Sequence, residues 1–250
     1  MYTAKKSLGQ HFLTSGKVIS DILAVLENQA FSRLLEVGPG TGALTASLLK
    51  LPGIDFKAVE LDDEKIIYLQ QHFPAIKGKL IHADFLKMEK PFEEPFIVIG
   101  NFPYNISTQI LFKVLEWREE VPCIIGMFQK EVAARAAAPP GSKVYGVLSA
   151  LIQPYYDVTY LFDVPPESFT PPPKVTSAVI KLTRRKEALD VRSERAYWNL
   201  VKTAFNQRRK TMRNAVKGLF SPEVLTDEIF KRRAETFSIE EFAALTHRMS

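Results

Sequence analysis

An apolar run, Arg33-Leu34-Leu35-Glu36-Val37, breaks into Gly38-Pro39-Gly40-Thr41-Gly42-Ala43, and helical apolar spacing resumes over 44–51. Strand, glycine-rich turn and helix in that order open a Rossmann-like unit. They commit the chain to a parallel sheet, because consecutive parallel strands need a crossover and a helix is its usual form. The rest of the chain repeats the pattern. Residues 55–62 read as a second strand ending in acids, and 64–72 as a helix. Residues 80–85 form a third strand, again ending near an acid, and the apolar run 95–100 a fourth. A helix over 106–117, a strand over 121–128 and a helix over 129–135 follow. After the loop 138–143 come a helix over 148–156 and two strands, 158–164 and 177–182. The expectation is an α/β, doubly wound sheet of seven strands, whose ligands sit at the strands' carboxyl ends.

Composition changes after Arg185. Residues 190–250 contain no strand-like run. Ser193-Glu194 opens a helix that turns Leu200, Val201, Ala204 and Phe205 inward; Ser221-Pro222 resembles a helix start, and Ser238-Ile239-Glu240-Glu241 a capping box. We therefore expect two domains, 1–185 and a small all-helical domain over 186–250.

Several function classes are excluded early. The one cysteine, Cys123, permits neither an intramolecular disulfide nor a cysteine zinc cluster and reads as core filler. The four histidines are widely spaced, so no metal site is expected. No apolar run approaches the ~20 residues of a membrane span. Nor does the start, from Met1 through the basic arm Lys5-Lys6 to Gln10, lead into a signal-peptide core, so a cytoplasmic, membrane-free protein is expected. The net charge of +5 is a mild bias towards polyanions. Its distribution says more: Thr183-Arg184-Arg185-Lys186, Gln207-Arg208-Arg209-Lys210 and Lys231-Arg232-Arg233 all lie in the last third.

The turn itself admits two ligands. Gly38-x-Gly40-x-x-Ala43 formally fits a dinucleotide fingerprint. Against NAD, Glu36 would repel a pyrophosphate, and Pro39 removes an N–H from any anion cradle. S-adenosylmethionine, with a sulfonium, an ammonium, a ribose and an adenine but no phosphate, fits better. Glu36, Glu60 and Asp84 supply acids at successive strand ends. Glu60 lies 20 residues beyond Gly40, where a carboxylate suits the ribose hydroxyls. Asp84 suits the adenine amino group. Any one of them alone is more often a solvated strand-end residue.

At the fourth strand's end stands Asn101-Phe102-Pro103-Tyr104. The Asn101 amide oxygen and the Pro103 carbonyl can accept from an exocyclic amine, and Tyr104 offers a ring on which a base can stack. On four residues alone, a turn with a packing tyrosine fits equally well. Between the last two strands, five prolines in nine residues (165–173) make a stiff connection. Phe169 within it is a candidate second aromatic wall, or a buried loop anchor.

Taken in order, these segments resemble one family. Gln10-His11-Phe12-Leu13, Glu36-Val37-Gly38-Pro39-Gly40, Glu60-Leu61-Asp62, Asn101-Phe102-Pro103-Tyr104-Asn105-Ile106-Ser107, Gln129-Lys130-Glu131-Val132, Phe169-Thr170-Pro171-Pro172-Pro173-Lys174-Val175 and Ala204-Phe205-Asn206-Gln207-Arg208-Arg209-Lys210 occur as in the ribosomal RNA adenine dimethyltransferases. The resemblance covers nearly the whole chain and is closest to the bacterial small-subunit enzymes. It departs at His11, where the family usually has asparagine, and at Phe102, where it usually has leucine. It implies the seven-stranded methyltransferase sheet, S-adenosylmethionine as cofactor, and two adjacent adenosines in a hairpin loop near the 3′ end of 16S rRNA as target. The implied cofactor contacts are His11, Leu13, Gly38, Glu60, Asp84 and Asn101, to which the residues themselves add Glu36 and Gly40. The implied base pocket is Asn101, Pro103, Tyr104 and Phe169. Arg208, Arg209 and Lys210 are expected to contact RNA, with a monomer acting on the small subunit or its precursor and a further role in subunit biogenesis. The rivals are enzymes acting on 23S rRNA or DNA adenines, and a non-catalytic assembly factor; Phe169–Val175, Arg208–Lys210 and the intact Asn101–Tyr104 motif favour the small-subunit enzyme.

Overall fold

The computed structural model describes residues 11–250. The expected basic arm through Gln10 lies outside them. Strand β1 (Phe12–Leu13) leads into α1 (Gly16–Glu27), where the Ser15 hydroxyl caps the Val18 N–H and Val18, Ile22 and Leu26 form the buried stripe. Then come β2 (Arg33–Val37), the short α2 (Thr45–Leu48), β3 (Asp55–Glu60), α3 (Asp63–His72), β4 (Leu80–His82), β5 (Ile97–Asn101), α4 (Ser107–Glu116), β6 (Cys123–Gln129), α5 (Lys130–Ala136), α6 (Val147–Ile152), β7 (Tyr156–Val164), β8 (Phe169–Thr170) and β9 (Ser177–Arg184).

Seven strands form one sheet in the order β4-β3-β2-β5-β6-β9-β7. The pairings from β4 to β6 are parallel, and β6 with β9 is antiparallel. The central strands β2, β5 and β6 are buried almost throughout, as strands covered on both faces are. Sheet order reverses between β2 and β5, which opens a crevice at their carboxyl ends. Being antiparallel, β9 begins at that same edge, with Ser177 opposite Gln129. A separate two-strand pairing sets Leu13 opposite Phe169. Neither of its strands was expected, since two residues carry no periodicity.

The chain forms two compact units. Among the described residues one comprises 11–133 with Val158–Arg184, the other Ala134–Asp157 with Arg185–Ser250. This corrects the expected division at 134–157. The anchors are tertiary: the Tyr197 hydroxyl donates to the Ala150 carbonyl at 2.9 Å, and the Gly141 N–H to the Glu235 carbonyl at 2.7 Å. The expected helix over 148–156 ends at Ile152, and Tyr156 starts β7. The second unit also holds α7 (Glu194–Asn206), α8 (Met212–Ala215) and α9 (Ile239–Thr246). Ser193 caps α7 as expected, and Ser238 and Glu241 form the capping box of α9. Ser221-Pro222 instead leads into a short 3₁₀ turn over Val224–Thr226.

Phe102 is buried beside Gly100 and Gly126 on β5 and β6. A methyl group added at Gly126 would overlap the Phe102 ring and stand 2.6 Å from Phe128. The larger ring at 102 therefore depends on glycine on the neighbouring strand. Gly126→Ala should lower stability by ~1–3 kcal/mol, the usual cost of overpacking. An unchanged urea midpoint would show that the rings move aside freely.

Candidate active site

The crevice holds a cavity of about 260 Å³ in the first unit. Its wall includes every residue expected to contact a cofactor: His11, Leu13, Glu36, Gly38, Gly40, Glu60, Asp84 and Asn101. Pro103 and Tyr104 line it too. Strand ends bring these together from across 94 positions of sequence, since Gly38, Glu60 and Asn101 end or follow neighbouring strands.

The glycine turn is spent on internal bonds. The Gly38 N–H donates to the Val59 carbonyl at 3.0 Å, that of Gly42 to the Pro39 carbonyl at 2.8 Å, and that of Gly40 to Glu60 Oε2 at 3.3 Å. All three glycines have positive φ, from +58° to +85°, which other residues adopt poorly. Few N–H groups remain for a phosphate, and no lysine or arginine is in the described lining. The cavity is thus built against an anionic ligand.

Glu60 is held by its own strand end: Oε1 accepts from the N–H groups of Leu61 at 2.9 Å and Asp62 at 3.0 Å. Burial pushes its pKa up, and the Asp62, Gly40 and Leu61 bonds partly offset that. Three of about four carboxylate lone-pair sites are in use, so spare capacity lies on Oε2. Glu36 behaves differently from the charged acid expected. It is buried and bonded to the Thr45 hydroxyl at 2.7 Å, and burial pushes its pKa up to about 8. Without a cation beside it, Glu36 is mostly neutral at pH 7, so charge repulsion is not what disfavours a pyrophosphate.

The Asn101 side-chain NH2 donates to the His11 carbonyl at 3.0 Å, which sets the orientation of the amide. Its oxygen is left for a donor. The Pro103 carbonyl accepts from the Ile106 N–H at 3.1 Å and keeps a second lone pair. Tyr104 stacks against His11, and its hydroxyl bonds to Ser177.

Phe169 is corrected. It is 2% exposed, packed in the core opposite Leu13, and not in the cavity wall. Its pairing with β1 turns it inward, so it is the loop anchor. Sequence reading passed over Leu61 and Leu86, which also line the cavity. Leu61 is 52% exposed; the signal was an apolar residue set between two strand-end acids.

In the second unit, Arg208, Arg209 and Lys210 are exposed just beyond α7. A bridge between Thr211 and Arg233 lays the exposed Arg233 alongside. Arg208 also donates to the Lys143 carbonyl at 2.7 Å, and most of the neighbouring basic residues of the last third are engaged within the protein. Arg232 pairs with Glu241, one bond at 2.9 Å, and Lys231 with Glu228 at 2.6 Å. Arg185 lies 3.9 Å from Asp157 and Glu240, and in the first unit Arg184 holds the carbonyls of Arg118 and Glu119. Among the described residues no potential metal cluster occurs and no helix is long and apolar enough to cross a membrane.

A family model described as ribosomal RNA adenine dimethylase matches residues 1–248. The chain belongs to that family. Among members of the family, the ribosomal RNA small subunit methyltransferase A of Cytophaga hutchinsonii is 48% identical over 99% of this chain and 97% of its own. That of Parabacteroides distasonis is 50% identical over 97% and 92%. The fold matches a dimethyladenosine transferase from Plasmodium falciparum, with a TM-score of 0.79 at 24% identity over 93% of this chain and 94% of the other. It also matches the 23S rRNA methyltransferase ErmE, with a TM-score of 0.73 at 24% identity over 95% and 99%. Family membership makes this chain an rRNA adenine dimethyltransferase, on a Rossmann-like methyltransferase sheet.

Glu36 makes stability depend on pH. Its folded pKa of about 8 exceeds the ordinary 4.5, so its contribution is full below 4.5 and lost as pH rises towards 8. Glu36→Gln keeps a partner for Thr45 without the ionisation. Calorimetry should show the wild-type Tm falling relative to the variant between about pH 5 and 8. Parallel Tm curves over that range would mean that Glu36 ionises freely in the fold.

Proposed function

We propose that this enzyme transfers methyl groups from S-adenosylmethionine to N6 of two adjacent adenosines in the hairpin loop near the 3′ end of 16S rRNA, on the small subunit or its precursor, in the cytoplasm. The names of its relatives support the subunit. The fold alone does not choose, since it matches an enzyme named for 23S rRNA as well. The observation that carries the chemistry is the Asn101 amide. With its NH2 held by the His11 carbonyl, its oxygen is left as an acceptor in a cavity wall that Pro103 shares.

The cavity's chemistry fits the cofactor. Glu60 Oε2 suits a ribose hydroxyl, the apolar Leu61 and Leu86 suit an adenine, and Glu36 suits a nearby cation. A cation would lower the Glu36 pKa and restore its charge. When bound, S-adenosylmethionine supplies a sulfonium methyl, which N6 takes as the C–S electron pair stays on sulfur. The adenine amine is a poor nucleophile because its lone pair is delocalised into the ring. Asn101 Oδ1 and the Pro103 carbonyl accept hydrogen bonds from its two N–H groups and favour a pyramidal nitrogen; once the N–C bond has formed, one of those protons leaves to solvent. Tyr104 holds the base out of its stack. Alignment then removes much of the entropic barrier to encounter.

Two outcomes test the reading. In single-turnover assays on unmethylated small subunits with saturating tritiated cofactor, Asn101→Ala should transfer methyl groups on the order of 10²–10³-fold more slowly than wild type. Transfer at the wild-type rate would remove the amine-activating role; wild-type label appearing only on large subunits or DNA would overturn the substrate. Each phosphate contact contributes a log–log salt slope of ~0.7–0.9, so alanine at 208, 209 and 210 together should flatten subunit binding by about 2–3. If affinity and slope stay as in wild type, those three residues do not touch RNA.

A further inference from the structure

The proposed reading gives Tyr104 the target base, and an aromatic platform works only if its ring is held still. Tyrosine has two rotatable side-chain bonds, and Tyr104 follows a proline at the mouth of a loop. Two contacts restrain it. The His11 ring lies against one face, with centroids 5.6 Å apart and planes 28° from parallel. This is within the range of a stacked pair. The phenol at the far end of the ring bonds to Ser177 Oγ.

Both partners are themselves fixed. His11 Nδ1 lies 2.9 Å from the Pro171 carbonyl. A carbonyl can only accept, so Nδ1 carries the proton and the imidazole plane is set. Ser177 is fully buried and opens β9, in register with Gln129 at the end of β6. It therefore moves only with the sheet. The His11 carbonyl also orients the Asn101 amide. One residue thus touches both halves of the base site, through its backbone at Asn101 and through its ring at Tyr104.

We propose that His11 and Ser177 are positioning residues for Tyr104, holding its ring by one face and by its hydroxyl so that the opposite face receives the target adenine. His11 thereby has a side-chain function that an asparagine, having no ring, does not share. Ser177 lies 73 positions from Tyr104 and reaches the site because the antiparallel β9 starts where the parallel strands end. The inference rests on the methyl-transfer reading.

The test measures single-turnover methyl transfer to unmethylated small subunits at saturating cofactor, together with Tm and cofactor affinity. Ser177→Ala and Tyr104→Phe each remove one end of the same hydrogen bond. Each should slow transfer roughly three- to tenfold, the worth of one such bond, with cofactor affinity unchanged. The double variant should be no slower than the slower single one, because the bond can be lost only once. His11→Ala keeps the backbone carbonyl and should slow transfer to a similar degree, while His11→Phe, which keeps a ring against Tyr104, should recover part of the loss. Transfer by Ser177→Ala at the wild-type rate, or multiplied effects in the double variant, would overturn the clamp while leaving the methyl-transfer reading intact. A wild-type protein that methylates no subunit would overturn that reading and the clamp with it.

Discussion

Leu34 pairs with Ile97, Leu35 with Val98 and Glu36 with Ile99, and this parallel register between β2 and β5 decides where the chemistry can be. The two strands are 60 residues apart, yet their carboxyl ends open side by side. Gly38 follows one and Asn101 ends the other. Gly38 turns the chain there with a φ of +70°, which a side chain adopts poorly, while a Cβ would meet the Pro103 ring only at an ordinary contact of 3.6 Å. A slip of one residue would turn Glu36 to the opposite face of the sheet and part it from Thr45.

That junction is surrounded by acids whose states differ through their surroundings. Glu60 is bonded to three N–H groups of strand-end backbone, which favour its charge against burial. Glu36 has one hydroxyl partner and deeper burial, and burial dominates. Two identical side chains thus offer a prepared acceptor and a group whose charge awaits a cation. The turn between them serves Glu60 rather than a phosphate. A glycine-rich turn in an α/β fold therefore need not be an anion cradle; what its N–H groups already hold is the deciding fact.

The second unit shows the same difference between charge and availability. Arg232, Lys231 and Arg185 look like parts of a basic surface in sequence, and in the fold they face Glu241, Glu228, Asp157 and Glu240. Arg209, Lys210 and Arg233 stay exposed, brought together by the bridge at Thr211. Counting basic residues overstates a polyanion surface by those already paired.

Local signals sufficed for the layer order, the seven strands, the glycine turn and the strand-end acids, because periodicity and turn chemistry act over a few residues. They also sufficed for the caps of α7 and α9. Asn101, Pro103 and Tyr104 were legible as a group because they are contiguous. Contacts across long sequence separations were not legible. Whether Phe169 faces the cavity or the core depends on a two-residue pairing with Leu13. Whether 134–157 belongs with the sheet or the helices depends on bonds to Tyr197 and Glu235. The orientation of the Asn101 amide depends on a carbonyl 90 residues away. Sequence carries the preference of each segment for a backbone shape, and only tertiary packing chooses which side chains then meet, since that choice is made by burial and by partners no local window contains.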